Sequence, residues 1–222
     1  MRYQDVVYGM IDIPLEIRDL FGYPELVRLR GISQAVLPVE VNPFCAAPNR
    51  FQHGIGVWHL AERLVQKPEF KHLAPNLPLA GLLHDAGNPP FSHTGDWFMA
   101  DAIGHSGETR LGEMLGDSAF ATALRRLGGD LNIVAGLTAG TFKPWSDLLA
   151  GSLDLDNIDN ICRYGRMQGL LRGWKDYNPR LLADAFRVSP EGDAIELDRS
   201  AKDEISKWLA ARRTVYESVY SD

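Results

Sequence analysis

Apolar residues recur every three to four positions along most of the chain, a spacing typical of amphipathic helices. In residues 24–35, for example, Leu26, Leu29 and Ile32 fall on one helical face. This periodicity, with the capping and breaking residues around it, predicts helices over 14–20, 24–35, 50–66, 78–86, 92–103 (with Ser92 as N-cap), 107–116, 117–127, 130–138, 154–168, 179–186 and 199–219. A Pro-Glu-Gly-Asp turn within 184–197 separates two short β-like runs. We therefore predict a mainly α-helical bundle with at most one small β-hairpin.

Proline and asparagine crowd residues 38–49, and this composition predicts an irregular loop. No segment of the sequence shows internal repeats, low complexity or a linker composition that would mark a domain boundary. We therefore expect one domain over residues 1–222.

The composition mainly serves to exclude several classes of protein. With 222 residues, 45% hydrophobic and 23% charged, the chain can bury a full core without disulfides. Lys and Arg number 23 against 29 Asp and Glu, so the net charge of −6 does not favour binding to duplex nucleic acid. No apolar run approaches the roughly 20 residues of a membrane span, and the first residues lack the layout of a signal peptide. With only two cysteines, Cys45 and Cys162, we expect reduced thiols and a cytoplasmic protein.

Candidate chemistry lies on three predicted helices. His53 lies within the helix over 50–66, His84 and Asp85 end a short apolar helix, and Asp156 begins a later one. Two imidazole nitrogens and two carboxylate oxygens suit one divalent transition metal, such as Mn, Fe, Co, Ni or Zn. Four protein ligands leave a six-coordinate ion with room for water or a phosphate oxygen.

Simpler interpretations stay open for these residues. A His-Asp pair can end a helix without any function, and His53 can be a hydrogen-bonded core histidine. Asp154 and Asp159 compete with Asp156 for the ligand position. Asp159 also lies four residues before Arg163, a spacing that equally predicts an ordinary structural ion pair.

The segments around these residues form a series of motifs in a fixed order: LVRLRGISQ, RFQHGIGVWHLA, LLHDAGNPPFSHTGD, LDLDNIDNICRYG and ARRTVYESVY. The series resembles the HD-domain phosphohydrolases, and it is closest to their deoxynucleoside triphosphate triphosphohydrolase (dGTPase-like) branch. The resemblance implies an HD-domain helical bundle with its metal-site core over about 50–168 and a C-terminal hairpin and helix over about 184–219. It also implies hydrolysis of a phosphoester or phosphoanhydride bond.

Matched residue by residue, the resemblance implies three groups of site residues. The metal ligands are His53, His84, Asp85 and Asp156. The substrate-binding residues are Arg50, Gln34, Asn88 and Arg163, with Gln34 reading a sugar hydroxyl. The catalytic residues are His93, Asp96 and His105. For Gln34 a structural role, and for His105 a surface position, remain open alternatives.

The chain also departs from the family pattern. Asn88 replaces a histidine, and Asn157 and Asn160 replace a basic and an aromatic residue. Asparagine can hydrogen-bond a phosphate but supplies neither a proton nor a positive charge. Three hypotheses therefore remain: hydrolysis of a (deoxy)nucleoside triphosphate or other nucleotide phosphoester, a nucleoside 5′-monophosphatase, and a non-catalytic nucleotide sensor that keeps the metal. The expected partner is a small phosphorylated substrate, neither duplex nucleic acid nor membrane, with a homo-oligomer left open.

Overall fold

The computed structural model describes residues 1–34, 47–90, 95–104, 107–172 and 175–220, and every structural statement below concerns these ranges. Its α-helices are α1 (Leu15–Leu20), α2 (Pro24–Val27), α3 (Arg50–Leu64), α4 (Asn76–Leu83), α5 (Asp96–Ile103), α6 (Gly107–Met114), α7 (Ala119–Arg126), α8 (Leu131–Thr138), α9 (Leu155–Met167), α10 (Pro179–Asp184) and α11 (Lys202–Tyr220). Its strands are β1 (Arg2–Asp5), β2 (Gly9–Asp12), β3 (Phe186–Val188) and β4 (Ile195–Leu197).

The mainly helical class and the C-terminal hairpin are confirmed. Strands β3 and β4 pair antiparallel, with Phe186 opposite Leu197. A second hairpin, β1–β2, was not expected. Its turn is held by Asp5, whose Oδ1 accepts the backbone N–H groups of Val7 and Tyr8 at 2.7 and 3.0 Å.

The largest differences from the predicted helices are early ends in the helices predicted over 24–35 and 78–86. The helix over 24–35 stops early, because the backbone of Gln34 and Ile32 bonds to Pro48 and Arg50 instead of continuing the helix. Helix α4 ends at Leu83, and the chain turns through His84 toward the two prolines at 89–90, which cannot extend a helix. Ser92 and most of the loop over 38–49 lie outside the described residues.

The core forms around helices α3 and α4. Helix α3 begins at a reciprocal capping box, in which Asn49 accepts the Gln52 N–H and Gln52 accepts the Asn49 N–H. It packs against α4, α9 and α10, and every residue of α4 is buried. No described helix combines the length and apolar character that crossing a membrane requires. Because α3 touches both α4 and α9, side chains from all three helices can meet at one point.

A buried ion cluster ties the N-terminal hairpin to α9. The fully buried Arg163 guanidinium donates to Asp5 Oδ2 at 2.8 Å and to both carboxylate oxygens of Asp159 at 2.8 and 3.0 Å. Burial by itself would lower the pKa of Arg163, but the two carboxylates raise it overall. Burial likewise favours a neutral Asp159, yet the Arg163 charge holds the pKa of this carboxyl well below its usual range. The i,i+4 ion pair expected from the sequence is thus present.

Replacing Arg163 should destabilise the fold strongly, because Asp5 and Asp159 would stay buried without their cation. We expect Arg163→Met to lower the free energy of unfolding by about 3–5 kcal/mol, measured by urea denaturation. Arg2→Met is the matched control, since the Arg2–Asp12 pair spans 3.6 Å between side chains that are 78% and 86% exposed. Its effect should stay below about 1 kcal/mol. Equal losses in the two variants would contradict this assignment.

Candidate metal centre

Three helices bring the predicted ligands together. His53 lies in α3, His84 follows the last turn of α4, and Asp156 lies in the first turn of α9. One ligand atom from each of these three residues lies within 4.8 Å of the other two. The close packing of α3 on its two neighbours creates this cluster from residues 31 and 103 positions away from His53 in the chain.

The distances within the cluster are those of groups around one centre. His53 Nε2 lies 2.8 Å from Asp156 Oδ1 and 3.2 Å from His84 Nε2. His84 Nε2 lies 3.9 Å from the same Asp156 oxygen. Asp85 Oδ2 lies 3.4 Å from His84 Nε2 and 4.0 Å from His53 Nε2.

A polar contact at Nδ1 sets the orientation of each imidazole ring. His53 Nδ1 lies 2.7 Å from Asp159 Oδ2, and His84 Nδ1 lies 2.8 Å from the Gly81 carbonyl oxygen. An Nδ1–H that donates to these oxygens leaves the Nε2 lone pair directed at the cluster. Carboxylate and carbonyl partners of this kind fix the tautomer and ring orientation of metal-binding histidines.

The two carboxylate oxygens of Asp85 have different surroundings. Its Oδ1 accepts hydrogen bonds from Arg50 Nη1 and, at 2.6 Å, from Asn88 Nδ2. Its Oδ2 is buried with no hydrogen-bond partner among the described residues. Burial favours the neutral form, but the charges of His84 and Arg50 keep the pKa of Asp85 well below its usual range. A buried carboxylate oxygen without a donor needs a cation.

The donor set therefore fits a divalent metal. With bonds of about 2.1 Å, ligands at right angles lie about 3.0 Å apart and opposite ligands about 4.2 Å apart. The five separations within the cluster span 2.8 to 4.0 Å. Burial would lower the pKa of His53, yet hydrogen bonds with Asp156 and Asp159 raise it to about 9. The carboxylates thus favour positive charge at this point, which a metal ion can supply.

The competing aspartates have other partners. Asp154 caps α9 and accepts the backbone N–H groups of Gly151 and Asn157 at 2.8 and 2.7 Å. Asp159 binds Arg163 and His53, a link to the candidate ligand that the sequence analysis missed. Gly56 permits this contact, because a Cβ there would lie 2.0 Å from Asp159 Oδ1. One indication of this contact lies in the sequence: Gly56 is three residues after His53 on the same helical face and leaves space beside it.

Two of the expected substrate-binding residues, Arg163 and Asn88, hold other side chains in the structure. Arg163 is fully buried in its ion cluster with Asp5 and Asp159. Asn88 is also buried, and its side-chain amide donates to Asp85. A contact of either residue with substrate therefore stays a prediction. Asp85 lies three residues before Asn88 and Asp159 four residues before Arg163, whereas Asp5 lies 158 positions from Arg163.

The remaining candidates lie around this centre or outside the described residues. Arg50 is buried behind Asp85 and bonds to it, so its contact with phosphate stays a prediction. Gln34 is buried, and neither polar atom of its amide has a hydrogen-bond partner among the described residues.

Asp96 Oδ1 accepts the Gly107 N–H at 3.0 Å and so links α5 to α6. His93 and His105 lie outside the described residues, and the expected contact of Asp96 with His93 is therefore untested.

A cavity of about 340 Å³ opens directly onto the cluster. Asp85, His84 and Asp156 lie in its wall together with the polar side chains of Thr138 and Asn157. The Asp156 side chain is 32% exposed, so the candidate metal position is open to a ligand from this side. A structural site is closed by protein ligands, whereas a catalytic site keeps an open position.

Comparison with known proteins identifies the class. Residues 50–164 match the HD domain family, and the chain belongs to that family. The matched range contains all four candidate ligands, His53, His84, Asp85 and Asp156. The resemblance seen in the sequence motifs is thereby confirmed.

Particular relatives add detail. An uncharacterized protein of Bacillus subtilis, YwfO, is 31% identical over 214 residues, which cover 92% of this chain and 47% of YwfO. The deoxynucleoside triphosphate triphosphohydrolase SAMHD1 of Gallus gallus is 40% identical over 105 residues, 42% of this chain and 16% of that protein. A phosphohydrolase from Bacteroides thetaiotaomicron aligns over 100% of this chain and 55% of its own, with 26% identity and a TM-score of 0.79. The chain spans about half the length of YwfO and of this phosphohydrolase.

The purified protein should hold about one divalent transition metal per chain, because these four residues form a single ligand set. We expect His84→Ala to reduce the bound metal to less than about one tenth, since a ligand and its oriented lone pair are lost. Metal content after dialysis, measured by inductively coupled plasma mass spectrometry, is the readout. His72→Ala is the control, because His72 is exposed and makes an edge-to-face contact with Trp145. Undiminished metal in the folded His84 variant would refute the site.

Proposed function

We propose that this chain is a metal-dependent phosphohydrolase that acts on a phosphoester bond of a nucleotide. The convergence of two imidazole nitrogens and two carboxylate oxygens at an open polar cavity carries the proposal. Membership of the HD domain family and similarity to a solved phosphohydrolase support hydrolysis. Similarity to SAMHD1, whose name describes a deoxynucleoside triphosphate triphosphohydrolase, supports a nucleotide substrate.

A divalent ion held by His53, His84, Asp85 and Asp156 would polarise a phosphoryl oxygen and lower the pKa of a bound water. The protein's own contribution is to fix the ligands. Asp159 and the Gly81 carbonyl hold the two imidazoles with Nε2 directed at the cavity. In the wall, the Asn157 side-chain amide donates one N–H to Asp154 Oδ1, and its second N–H can donate to a substrate oxygen.

Hydrolysis also requires a proton for the leaving oxygen. We assign this role to His93 or His105, since histidine changes protonation near neutral pH. Asp96 supports the assignment indirectly, because it joins the starts of α5 and α6, and His93 and His105 precede these two helices in sequence. Arg50 would add positive charge behind the phosphate, and the buried Gln34 amide would meet a substrate hydroxyl.

A nucleotide-binding sensor without turnover is the second candidate. Asn88 motivates it, because this residue stands where the related enzymes' motif has histidine and it cannot donate a proton. The Asn88 amide binds Asp85, however, so the substitution retains a role in holding a ligand. A sensor that keeps its metal would need that contact as well, so the contact does not separate the two candidates. We favour the enzyme because of the similarity to a solved phosphohydrolase.

The test is turnover of a panel of nucleoside mono- and triphosphates by the Mn²⁺- or Co²⁺-loaded protein. Phosphorus-31 NMR would identify the product as inorganic phosphate, pyrophosphate or triphosphate. We expect Asp156→Asn to lower kcat/KM by about 100-fold or more, because a charged ligand is lost. Asp117→Asn is the matched control on an exposed residue, and its activity should equal that of the wild type.

Two outcomes would contradict the proposal. Saturable nucleotide binding without product, in protein that carries its metal, would identify the sensor. Equal activity in Asp156→Asn and Asp117→Asn would show that the hydrolysis measured does not arise at this site.

A further inference from the structure

The first residue of α6, Gly107, lies against the turn that carries Asp85. A Cβ at position 107 would lie 2.1 Å from Asn88 Oδ1 and 3.0 Å from Asn88 Cα. A Cβ at Gly87 would in turn lie 1.9 Å from the Gly107 carbonyl oxygen. Separations near 2 Å are too short for a side-chain carbon, so the turn and α6 approach this closely because both positions are glycine.

The two polar atoms of the Asn88 amide have different neighbours. Nδ2 donates to Asp85 Oδ1 at 2.6 Å, whereas Oδ1 lies against Gly107 and has no hydrogen-bond partner among the described residues. Asn88 is only 1% exposed. The amide is therefore fixed by a hydrogen bond at one atom and by packing at the other. It follows that the position of Nδ2 depends on the position of Gly107.

Both sides of this contact are held by further hydrogen bonds. The Arg28 guanidinium donates to the carbonyl oxygens of Asn88 and, at 2.8 Å, of Ala86, and so holds the backbone of the turn. The Gly107 N–H donates to Asp96 Oδ1 at 3.0 Å, which holds the start of α6. A methyl group at position 107 would therefore displace the Asn88 side chain more readily than it would displace the turn or the helix.

The Asn88 amide acts on the orientation of a candidate ligand. Asp85 Oδ1 accepts hydrogen bonds from Asn88 and Arg50, and Asp85 Oδ2 lies 3.4 Å from His84 Nε2 within the cluster. Donors to the oxygen that does not bind the metal hold the carboxylate in one orientation. Loss of such an outer contact typically lowers metal affinity about 10- to 100-fold.

We propose that Asn88 and Gly107 act together as positioning residues for Asp85, so that the start of α6 is part of the metal centre. Gly107 sets the position of the Asn88 amide, and the amide directs Asp85 Oδ2 at the metal. This inference rests on the metal centre of the proposed phosphohydrolase. It extends that centre to a helix that carries none of the four candidate ligands.

The Co²⁺ affinity of the full chain tests the proposal, measured by competition between the loaded protein and a chromogenic chelator. We expect Asn88→Ala to weaken Co²⁺ binding at least about tenfold, because Asp85 loses a donor. Gly107→Ala should weaken it to a similar extent, because the added methyl group displaces the amide. In the Asn88→Ala background, Gly107→Ala should change the affinity by less than about threefold, because no amide remains to be displaced.

Two variants are matched controls. Gly112→Ala lies on the same helix, where the nearest atom to the added Cβ is Ala135 Cβ at 3.9 Å. Asn132→Ala removes an exposed amide from α8. Both should bind Co²⁺ within about twofold of the wild type.

The visible absorption spectrum of bound Co²⁺ separates positioning from a loss of stability. At saturating Co²⁺ the spectrum should change in Asn88→Ala and Gly107→Ala, because the carboxylate ligand is reoriented, and it should stay unchanged in Gly112→Ala. A destabilised protein with an intact centre would keep the wild-type spectrum. Asn88→Ala only removes atoms, so it carries this test even where Gly107→Ala does not fold.

Three results would overturn part of this account. Wild-type affinity and spectrum in Asn88→Ala would overturn the positioning role. An equal loss from Gly107→Ala in the wild-type and Asn88→Ala backgrounds would overturn the coupling between the two residues. Absence of Co²⁺ binding to the wild type would overturn the metal centre together with this inference. The predicted losses in a protein that hydrolyses no phosphoester would support the positioning role and overturn the proposed function.

Discussion

The position of the His53 imidazole depends on a series of buried charged side chains. Asp5 and Asp159 hold the Arg163 guanidinium, and Asp159 in turn holds Nδ1 of His53. All four side chains are buried, so removing the partner of any one of them would cost folding free energy. The N-terminal hairpin, α9 and α3 thus meet in a single electrostatic unit. Its far end presents His53 Nε2 to the other candidate ligands.

The opposite side of the centre is supported in a comparable way. Asp85 Oδ1 is held by Arg50 and Asn88, which leaves Oδ2 for a cation. Arg28 donates to the carbonyl oxygens of Ala86 and Asn88 and so holds the turn that carries Asp85. The residues behind the ligands set the orientation of the donor atoms. An open cavity on the remaining side then allows a substrate to approach.

The helices could be predicted from local periodicity, and the clustering of His53, His84 and Asp156 could be predicted from the order of motifs. Helical periodicity located α3, α4 and α9, and the order of motifs around His53, His84, Asp85 and Asp156 indicated the family. The contact between Arg163 and Asp5 could not be predicted in the same way. Arg163 binds Asp5, 158 positions away, and the hairpin that carries Asp5 has no strong local pattern. Long-range partners of this kind are set by packing, which a single sequence does not display.

The central claim is that these four side chains bind one metal ion at the floor of the cavity. Anomalous diffraction from crystals grown with Co²⁺, measured on both sides of the cobalt absorption edge, tests this claim most directly. We expect one strong peak per chain, about 2.0–2.2 Å from His53 Nε2, His84 Nε2, Asp85 Oδ2 and Asp156 Oδ1. A fully loaded protein whose cobalt peak lies elsewhere, away from both histidines, would contradict the account.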